Sequence, residues 1–290
     1  MGVTDMSEAG QCVIDLHVHS DVSDGTYTPT ELVEYALKKG LTAMALTDHD
    51  TVDGVEEALR CAEGTGLELI PGVELSAEYL GRDIHILGLF LDYQSEKFRA
   101  YLQEFKNTRD MRNVKMAECL TAHKMPVTVE ELKAEYGDAV LTRAHFAKFL
   151  KKKGFVNSYD EAFMRFLGDD KPCYVPRERI TPEGAVKLIH EAKGIAVLAH
   201  PLLYHLGMDE LEVLVKQLKS YGLDAIEAIY SMNKGRDERR MKELAKKYGL
   251  LITGGSDFHG ATKPHIDLGT GQGNLLIPAA LLKEIKKILK

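Results

Sequence analysis

Apolar residues recur along this chain in two rhythms: short runs of strand length, and longer stretches where they return every three or four positions. The first run, Cys12-Val13-Ile14, leads through Asp15-Leu16-His17-Val18-His19-Ser20-Asp21 into a polar loop and predicts a buried strand. Thr28-Pro29-Thr30-Glu31 then signals a helix start, with a capping hydroxyl, proline at the first helical position and a glutamate to close the capping box. Leu32, Val33, Tyr35, Ala36 and Leu37 form its buried stripe, and Gly40 ends it. A strand over 42–47 runs into Asp48-His49-Asp50, and a helix from Val55 to about Glu63 closes at Gly64 and Gly66. A third strand over 67–73 ends at Glu74, with Pro71 expected at a bulge or in its last turn. A fourth over 84–90 sets His85 in an apolar run.

From Ser95 to Arg179 the alternation stops, and a charged helical stretch to about His123 leads into further helical pieces. The βα rhythm returns at Thr181-Pro182-Glu183, whose helix ends at Gly194 and is followed by a strand over 195–199 into His200-Pro201. A helix near 209–221, a strand over 225–230, a helix near 235–248, a strand over 250–253 and a closing helix near 278–289 complete the chain. Alternating β and α elements predict a parallel α/β barrel with its chemistry at the C-terminal strand ends. The barrel domain is expected from 12–94 and 180–290, interrupted by a helical insertion at 95–179.

Composition narrows the class. At 290 residues and 44% hydrophobic content the chain can bury a large core. A net charge of −7 argues against broad non-specific nucleic-acid binding, yet leaves room for a small phosphorylated ligand. The cysteines (Cys12, Cys61, Cys119, Cys173) are scattered without a C-x-x-C pair, which predicts reduced thiols. Residues 1–11 lack an apolar signal core and no apolar run reaches membrane-spanning length, so a soluble cytoplasmic protein without membrane or stable protein partners is expected.

The candidate chemistry lies where the strands end. On a strand, residues i and i+2 share a face, so His17 and His19 are expected to point together, with Asp15 one step earlier on that face. Such a pair can converge on a divalent ion or simply hydrogen-bond locally. The pattern then repeats: six of eleven histidines (His17, His19, His49, His85, His200, His259) lie on or beside predicted strands, as do Asp24, Glu74 and Asp257. That many groups exceed the needs of one tetrahedral zinc and suit two or three ions sharing carboxylate bridges. Mixed imidazole and carboxylate ligation favours Mn²⁺, Fe²⁺ or Zn²⁺ over a pure Mg²⁺ or Ca²⁺ site.

Asp15-Leu16-His17-Val18-His19-Ser20, Thr47-Asp48-His49-Asp50, Gly72-Val73-Glu74, Ala199-His200-Pro201 and Ser256-Asp257-Phe258-His259 resemble, in order, the successive motifs of the PHP (polymerase and histidinol phosphatase) family. The resemblance covers nearly all of the chain apart from the insertion. It is greatest to stand-alone phosphoesterases that dephosphorylate nucleoside 3′,5′-bisphosphates and can trim the 5′-ends of short RNA. It implies a distorted (β/α)7, TIM-like barrel and two or three divalent ions, Mn²⁺ foremost, with Fe²⁺, Zn²⁺ or Mg²⁺ as alternatives. His17, His19, Glu74 and Asp257 would hold the first ion; Glu74, His85 and His200 the second; Asp24, His49 and His259 the third. Asp24, His49, His200, Asp257 and His259 would serve catalysis directly, through a metal-activated hydroxide attacking the phosphate in line. Asp48 and Asp15 are candidates either for fixing imidazole tautomers or for capping loops.

Within the insertion, Leu141-Thr142-Arg143-Ala144-His145-Phe146 resembles a segment that reaches back over the metals, which makes Arg143 and His145 candidate phosphate ligands. Arg177 and Asn233 are weaker candidates for the same task. His123, His190, His205 and His265 read as solvated side chains, and Lys151-Lys152-Lys153 as a solvated helix end. Gly254-Gly255 reads as a tight turn presenting Asp257, since no G-x-x-x-x-G-K-[ST] follows. The expected activity is removal of the 3′-phosphate from a nucleoside 3′,5′-bisphosphate. Histidinol phosphatase action and 5′–3′ exonuclease action on short RNA or DNA are rivals on the same site, and a non-catalytic binding module is a rival of another class.

Overall fold

A computed structural model describes residues 13–137, 141–175 and 180–289. It opens with β1 (Val13–Val18), α1 (Pro29–Lys39), β2 (Leu41–Leu46), α2 (Val55–Ala62) and β3 (Glu68–Tyr79). The start of α1 is built as its sequence dictates: Thr28 and Glu31 close a capping box, and Gly40 takes the left-handed conformation at φ 73°. A hairpin then leads into β4 (Arg82–Leu89). Next come α3 (Glu96–Ala122), α4 (Val129–Tyr136), α5 (Arg143–Lys152) and α6 (Tyr159–Ala162), which runs into a π-helical turn at Phe163–Leu167. The barrel resumes with α7 (Pro182–Glu191), β5 (Ile195–Leu198), α8 (Met208–Tyr221), β6 (Ala225–Tyr230), α9 (Asp237–Lys247) and β7 (Leu251–Gly255), and α10 (Ala279–Lys286) follows.

The seven strands lie side by side in sequence order. The chain leaving β7 returns to β1, where Asp257 N–H donates to the His17 carbonyl at 2.9 Å and His19 N–H donates to the Phe258 carbonyl at 3.0 Å. The result is a nearly closed barrel. Ile14, Leu16, Ala43, Ala45, Ile70, Leu87, Val197 and Ala225 fill its interior, and Leu282 and Ile285 of α10 join that cluster with Ile277. A second apolar layer joins the outer strand faces to the surrounding helices, through residues such as Met44, Leu46, Val33, Ile189 and Leu214.

The strands are not all parallel. β3 runs past Glu74 to Tyr79 and turns back through Leu80 (φ 50°) and Gly81 (φ 75°), so β4 lies antiparallel to both β3 and β5. Two successive positive φ angles are what a two-residue hairpin needs. Pro71 sits inside β3, opposite Leu46, rather than at a bulge or last turn. Gly254 and Gly255 likewise belong to β7 instead of forming a turn. A β-carbon on Gly255 would lie 2.2 Å from His17 Cβ, so that glycine lets β7 approach β1.

β1 carries the irregularity that matters most. Asp15 pairs with Met44 and Val18 with Leu46, so three steps on β1 match two on β2. Met44, Leu46 and Val18 belong to the outer layer and Leu16 to the inner one. The extra residue thus turns both Leu16 and His17 inward, and leaves Asp15 on the outer face. Asp15 does not share a face with His17. It accepts instead from the backbone N–H of Ser256 (2.9 Å), Gly269 (2.8 Å) and His17 (3.3 Å), fastening β1 to the chain beyond β7.

The helices between β4 and α7 pack around their own apolar cluster, which includes Met116, Leu120, Leu132, Phe146, Leu150 and Leu167. Lys153 is paired with Glu131 at 3.0 Å and Lys152 with Glu135, so these lysines brace α5 against α4. Lys148 Nζ donates to Thr262 Oγ1 at 3.3 Å and seats α5 on the barrel rim. Cys119 and Cys173 are joined as a disulfide over 54 residues, against the expectation of reduced thiols. His123 is exposed, as expected, and its Nδ1 lies 2.9 Å from the Cys119 carbonyl and 3.7 and 3.6 Å from the two sulfurs. Nothing in the cysteine spacing signals this, because the contact arises only when the chain after the π-helical turn folds onto the last turn of α3.

Candidate active site

Glu74, on β3 where the parallel run ends, occupies the centre. Its Oε2 lies 3.2 Å from His17 Nε2, 3.1 Å from His19 Nε2 and 3.3 Å from His49 Nδ1. Its Oε1 lies 2.8 Å from His85 Nδ1 and 2.9 Å from His200 Nε2. His85 reaches this end because β4 is antiparallel: the start of β4 stands beside the C-terminal ends of its neighbours. Around this centre Asp257 Oδ1 is 3.4 Å from His19 Nε2, and Asp24 Oδ1 is 3.1 Å from His259 Nε2. All nine strand-end residues singled out from the sequence meet in one place.

The backbone is shaped to bring them there. Asp50, His200 and Asp257 have positive φ angles of 54°, 26° and 58°, a conformation that costs non-glycine residues energy and collects at functional sites. Asp48, read above as a possible partner of an imidazole, instead accepts from Ser20 N–H (2.8 Å), Ser20 Oγ (2.6 Å) and Ser23 Oγ (2.6 Å). It thereby pins the loop that delivers Asp24.

The donor atoms fit divalent metal ions. His17 Nε2, both His19 nitrogens, Asp24 Oδ1, His49 Nδ1, Glu74 Oε2 and His200 Nδ1 are buried without a hydrogen-bond partner. Burying so many unpaired polar atoms is costly unless a cation joins them. They gather into His19/Asp24/His49/His259, His17/His19/Asp257, His17/Glu74/His200 and His49/Glu74/His85, each with ligand atoms within 4.8 Å of one another.

Electrostatics agree. Burial works to raise Glu74, but the imidazoles of His49, His17 and His85 outweigh it and hold the carboxyl well below the usual range. Burial likewise opposes ionisation of Asp257, and Lys263, His259 and His17 overcome it. Burial pushes His49 down to about 3, against the pull of Glu74 and Asp24. His19 is raised to about 9 despite burial, by Asp257 and Glu74. The carboxylates therefore draw protons onto buried imidazoles, and a cation supplying that charge would displace them.

Three supporting residues escaped sequence reasoning. Glu227, on β6, accepts from His17 Nδ1 at 3.0 Å and from His200 N–H at 2.7 Å. This fixes the His17 proton on Nδ1 and turns Nε2 toward the centre. Its signal was available: a lone carboxylate inside the buried strand Ala-Ile-Glu-Ala-Ile-Tyr. Tyr230 Oη and Lys263 Nζ both donate to Asp257 Oδ2 at 2.7 Å, leaving Oδ1 to face the histidines.

Over the centre lies a cavity of about 350 Å³. Asp24, His49, Ser76, Asp83 and His85 line its barrel side, and Arg112, Thr142, Arg143, Ala144, Tyr159 and Phe163, from the helices between β4 and α7 that form a cap here, line the cap side. Arg143 lies where expected. It is held from behind, with Nη1 donating to the Leu167 carbonyl (3.2 Å) and to Asp169 (2.8 Å). His145 does not line the cavity: it is buried, and its Nδ1 accepts from Thr142 N–H at 3.0 Å as part of the α5 cap. Asn233 also turns away, donating to the Ala228 carbonyl at 2.9 Å. Arg177 lies outside the described residues. Arg112, which no sequence signal distinguished from its charged neighbours on α3, is a second arginine in the cavity wall.

Among the described residues no helix is long and apolar enough to cross a membrane. The PHP domain family model matches residues 15–169. A 5′-3′ exoribonuclease of Haemophilus influenzae is 40% identical over 84% of this chain and 89% of its own. A 3′,5′-nucleoside bisphosphate phosphatase of Chromobacterium violaceum is 32% identical over 88% of this chain and 90% of its own. Among solved structures, a putative metal-dependent phosphoesterase of Bifidobacterium adolescentis superposes with a TM-score of 0.81 at 30% identity, covering 94% of each chain. With a family model over more than half its length and relatives of this closeness across most of it, the chain belongs to the PHP domain family and is a metal-dependent hydrolase of phosphoester bonds.

Proposed function

We propose that the protein removes the 3′-phosphate from nucleoside 3′,5′-bisphosphates. The observation that carries this reading is the two-sided cavity: carboxyl groups and histidines on the barrel wall face Arg112 and Arg143 on the cap wall. The barrel side is suited to the phosphate that is hydrolysed and the arginines to a second phosphate, which a guanidinium grips with paired N–H donors. A volume of about 350 Å³ falls in the range of small-ligand pockets. Tyr159 and Phe163 give the cap wall an aromatic surface, their rings 4.9 Å apart. The Chromobacterium violaceum relative is named a phosphatase of the same class of substrate, nucleoside 3′,5′-bisphosphates.

His17, His19, Glu74 and Asp257 would hold a first ion, Glu74, His85 and His200 a second, and Asp24, His49 and His259 a third, with Mn²⁺ the first to test. Such ions, when bound, supply Lewis acidity at the phosphoryl oxygens and lower the pKa of water. The chain's own residues do the rest. Glu227 keeps the His17 lone pair directed inward, and Tyr230 with Lys263 fixes the rotation of Asp257. The cap wall limits water around the scissile bond, and Arg143 sets the substrate's direction.

A second reading is supported by the relative named 5′-3′ exoribonuclease. A 5′-phosphorylated RNA and a nucleoside 3′,5′-bisphosphate present the same local structure, a 5′-phosphate and a phosphorus on the 3′-oxygen. Hydrolysis of that 3′ O–P bond gives inorganic phosphate from the bisphosphate and a shortened 5′-phosphorylated strand from RNA. The test compares Mn²⁺-dependent product release from adenosine 3′,5′-bisphosphate, histidinol phosphate and a short 5′-phosphorylated RNA. The highest kcat/KM on the bisphosphate is expected. Preference for RNA would replace this substrate with the diester, and preference for histidinol phosphate would remove the role given to the second phosphate.

A further inference from the structure

We propose that the Cys119–Cys173 disulfide is a reducible staple on the cap, opened by a small thiol such as glutathione, which loosens the grip of Arg143 on substrate. The substrate half of this inference rests on the bisphosphate reading above.

The bond joins two parts that both reach the cavity. Cys119 lies in the last turn of α3, the helix that also carries Arg112. Cys173 lies in the loop behind Arg143. The Arg143 guanidinium is held by the Leu167 carbonyl and Asp169, and lies 5.3 Å from the Tyr174 ring, next to Cys173 in sequence. The backbone bonds of this loop are local: Lys171 N–H to Gly168, Cys173 N–H to Phe166 and Tyr174 N–H to Lys171. The disulfide fastens the loop to α3 across a 54-residue separation, and a cross-link that closes a longer loop removes more chain freedom.

The chemistry around the sulfurs suits exchange. Cys119 is partly exposed and Cys173 fully buried, so an external thiolate reaches Cys119 Sγ first. Attack there breaks the S–S bond, forms a mixed disulfide on Cys119 and expels Cys173 as a thiolate. His123 Nδ1, 3.6 Å from Cys173 Sγ, stands beside that departing charge. A second thiol attacks the mixed disulfide and releases Cys119. The balance is one protein disulfide and two thiols giving two cysteine thiols and one small-molecule disulfide.

The test uses the full-length, Mn²⁺-loaded protein equilibrated at a series of glutathione to glutathione-disulfide ratios, with Cys61 replaced by serine to remove another thiol. Alkylation followed by peptide mass measurement should label Cys119 and Cys173 together as the buffer becomes reducing. Hydrogen exchange over residues 163–175 should speed up in the same titration. KM for adenosine 3′,5′-bisphosphate should rise about fivefold or more, the lower end of ordinary coupling between sites, while kcat on p-nitrophenyl phosphate stays level. A Cys119→Ser/Cys173→Ser variant should show the reduced behaviour at every ratio. Free, alkylatable Cys119 in the air-oxidised protein would overturn the staple, as would equal exchange in both states. Altered exchange with an unchanged KM would overturn its coupling to the site. If the bisphosphate is not hydrolysed while labelling and exchange follow the ratio, the substrate reading fails and the staple stands.

Discussion

Replacing Glu227 by glutamine separates the support of the proposed metal site from the side chains proposed to hold it. The carboxylate accepts twice, from His17 Nδ1–H at 3.0 Å and from His200 N–H at 2.7 Å, and both contacts are buried. Glutamine offers one acceptor and one donor, so it can match only one of these partners. If its oxygen serves His200, its amide faces His17 Nδ1 and drives the imidazole proton to Nε2, the atom that points at the centre. If its oxygen serves His17, two N–H groups oppose each other at His200, and an unsatisfied buried donor costs ~1–3 kcal/mol. Loss of an outer partner of a metal-bound histidine ordinarily weakens metal affinity about 10–100-fold, or ~1.4–2.7 kcal/mol, so the two routes agree in size. Titration calorimetry of Mn²⁺ into chelator-stripped protein should show a drop of that order in Glu227→Gln, with activity recovering partly at high Mn²⁺. A thermal melt beside it checks that the variant is folded. Unchanged Mn²⁺ affinity in a folded variant would refute the argument and leave Glu227 as a strand-packing residue.

Arg143→Ala should raise KM for adenosine 3′,5′-bisphosphate about 10–100-fold, the worth of one or two charge-assisted hydrogen bonds, and barely change p-nitrophenyl phosphate turnover. Equal losses on both substrates would remove Arg143 from recognition of a second phosphate. Gly255→Ala should lower the melting temperature and Mn²⁺ affinity together, because its new carbon would meet His17 Cβ at 2.2 Å and His17 N at 2.8 Å, at a cost of about 1–3 kcal/mol or more. A melt and Mn²⁺ affinity like those of the parent protein would show that β1 and β7 have room between them. Asp15 is raised from 3.8 to about 6 by burial, against the hydrogen bonds from Ser256, Gly269 and His17. As pH rises from about 4 to 6 the unfolded chain loses a proton that the folded one keeps, so this group should cost ~3 kcal/mol of stability by neutrality. Denaturant melts in chelator should show parental stability declining relative to Asp15→Asn across that window, and a constant difference would show that Asp15 is not perturbed.

What the sequence makes legible is whatever depends on local chemistry. The α1 cap follows from Thr28, Pro29 and Glu31, and the apolar runs place all seven strands, although β3 continues to Tyr79, past its expected end at Glu74. The nine metal-capable residues follow because histidines and carboxylates recur inside the apolar runs or in the polar stretches directly after them. Harder to read is anything set by contacts between distant segments. The β3–β4 hairpin turns through Leu80-Gly81, and leucine at a positive φ carries none of the signal of Asn-Gly or Asp-Gly. The inward turn of His145 depends on its place at the third position of α5, where it closes a cap instead of facing the cavity. The Cys119–Cys173 bond and the position of Arg112 depend on how the cap helices fold against one another.

The misread face of Asp15 shows why the site resists pattern reading at its centre. Strict alternation puts Asp15 and His17 on one side, and in a regular strand that would send His17 to the outer layer with Met44. The bulge between Asp15 and Val18 breaks the alternation once and gains two functions from adjacent positions. His17 turns inward to the metal-capable centre, while Asp15 stays outside to tie β1 to Ser256 and Gly269. Asp50, His200 and Asp257 depart from regular geometry too, each at a positive φ where the chain leaves its strand or its regular path. A barrel built of ideal strands would direct side chains only along the period-two pattern, and nine side chains from six strands and the loops after them could not all converge on so small a volume. The deviations from local rules are therefore concentrated at the site because convergence requires them.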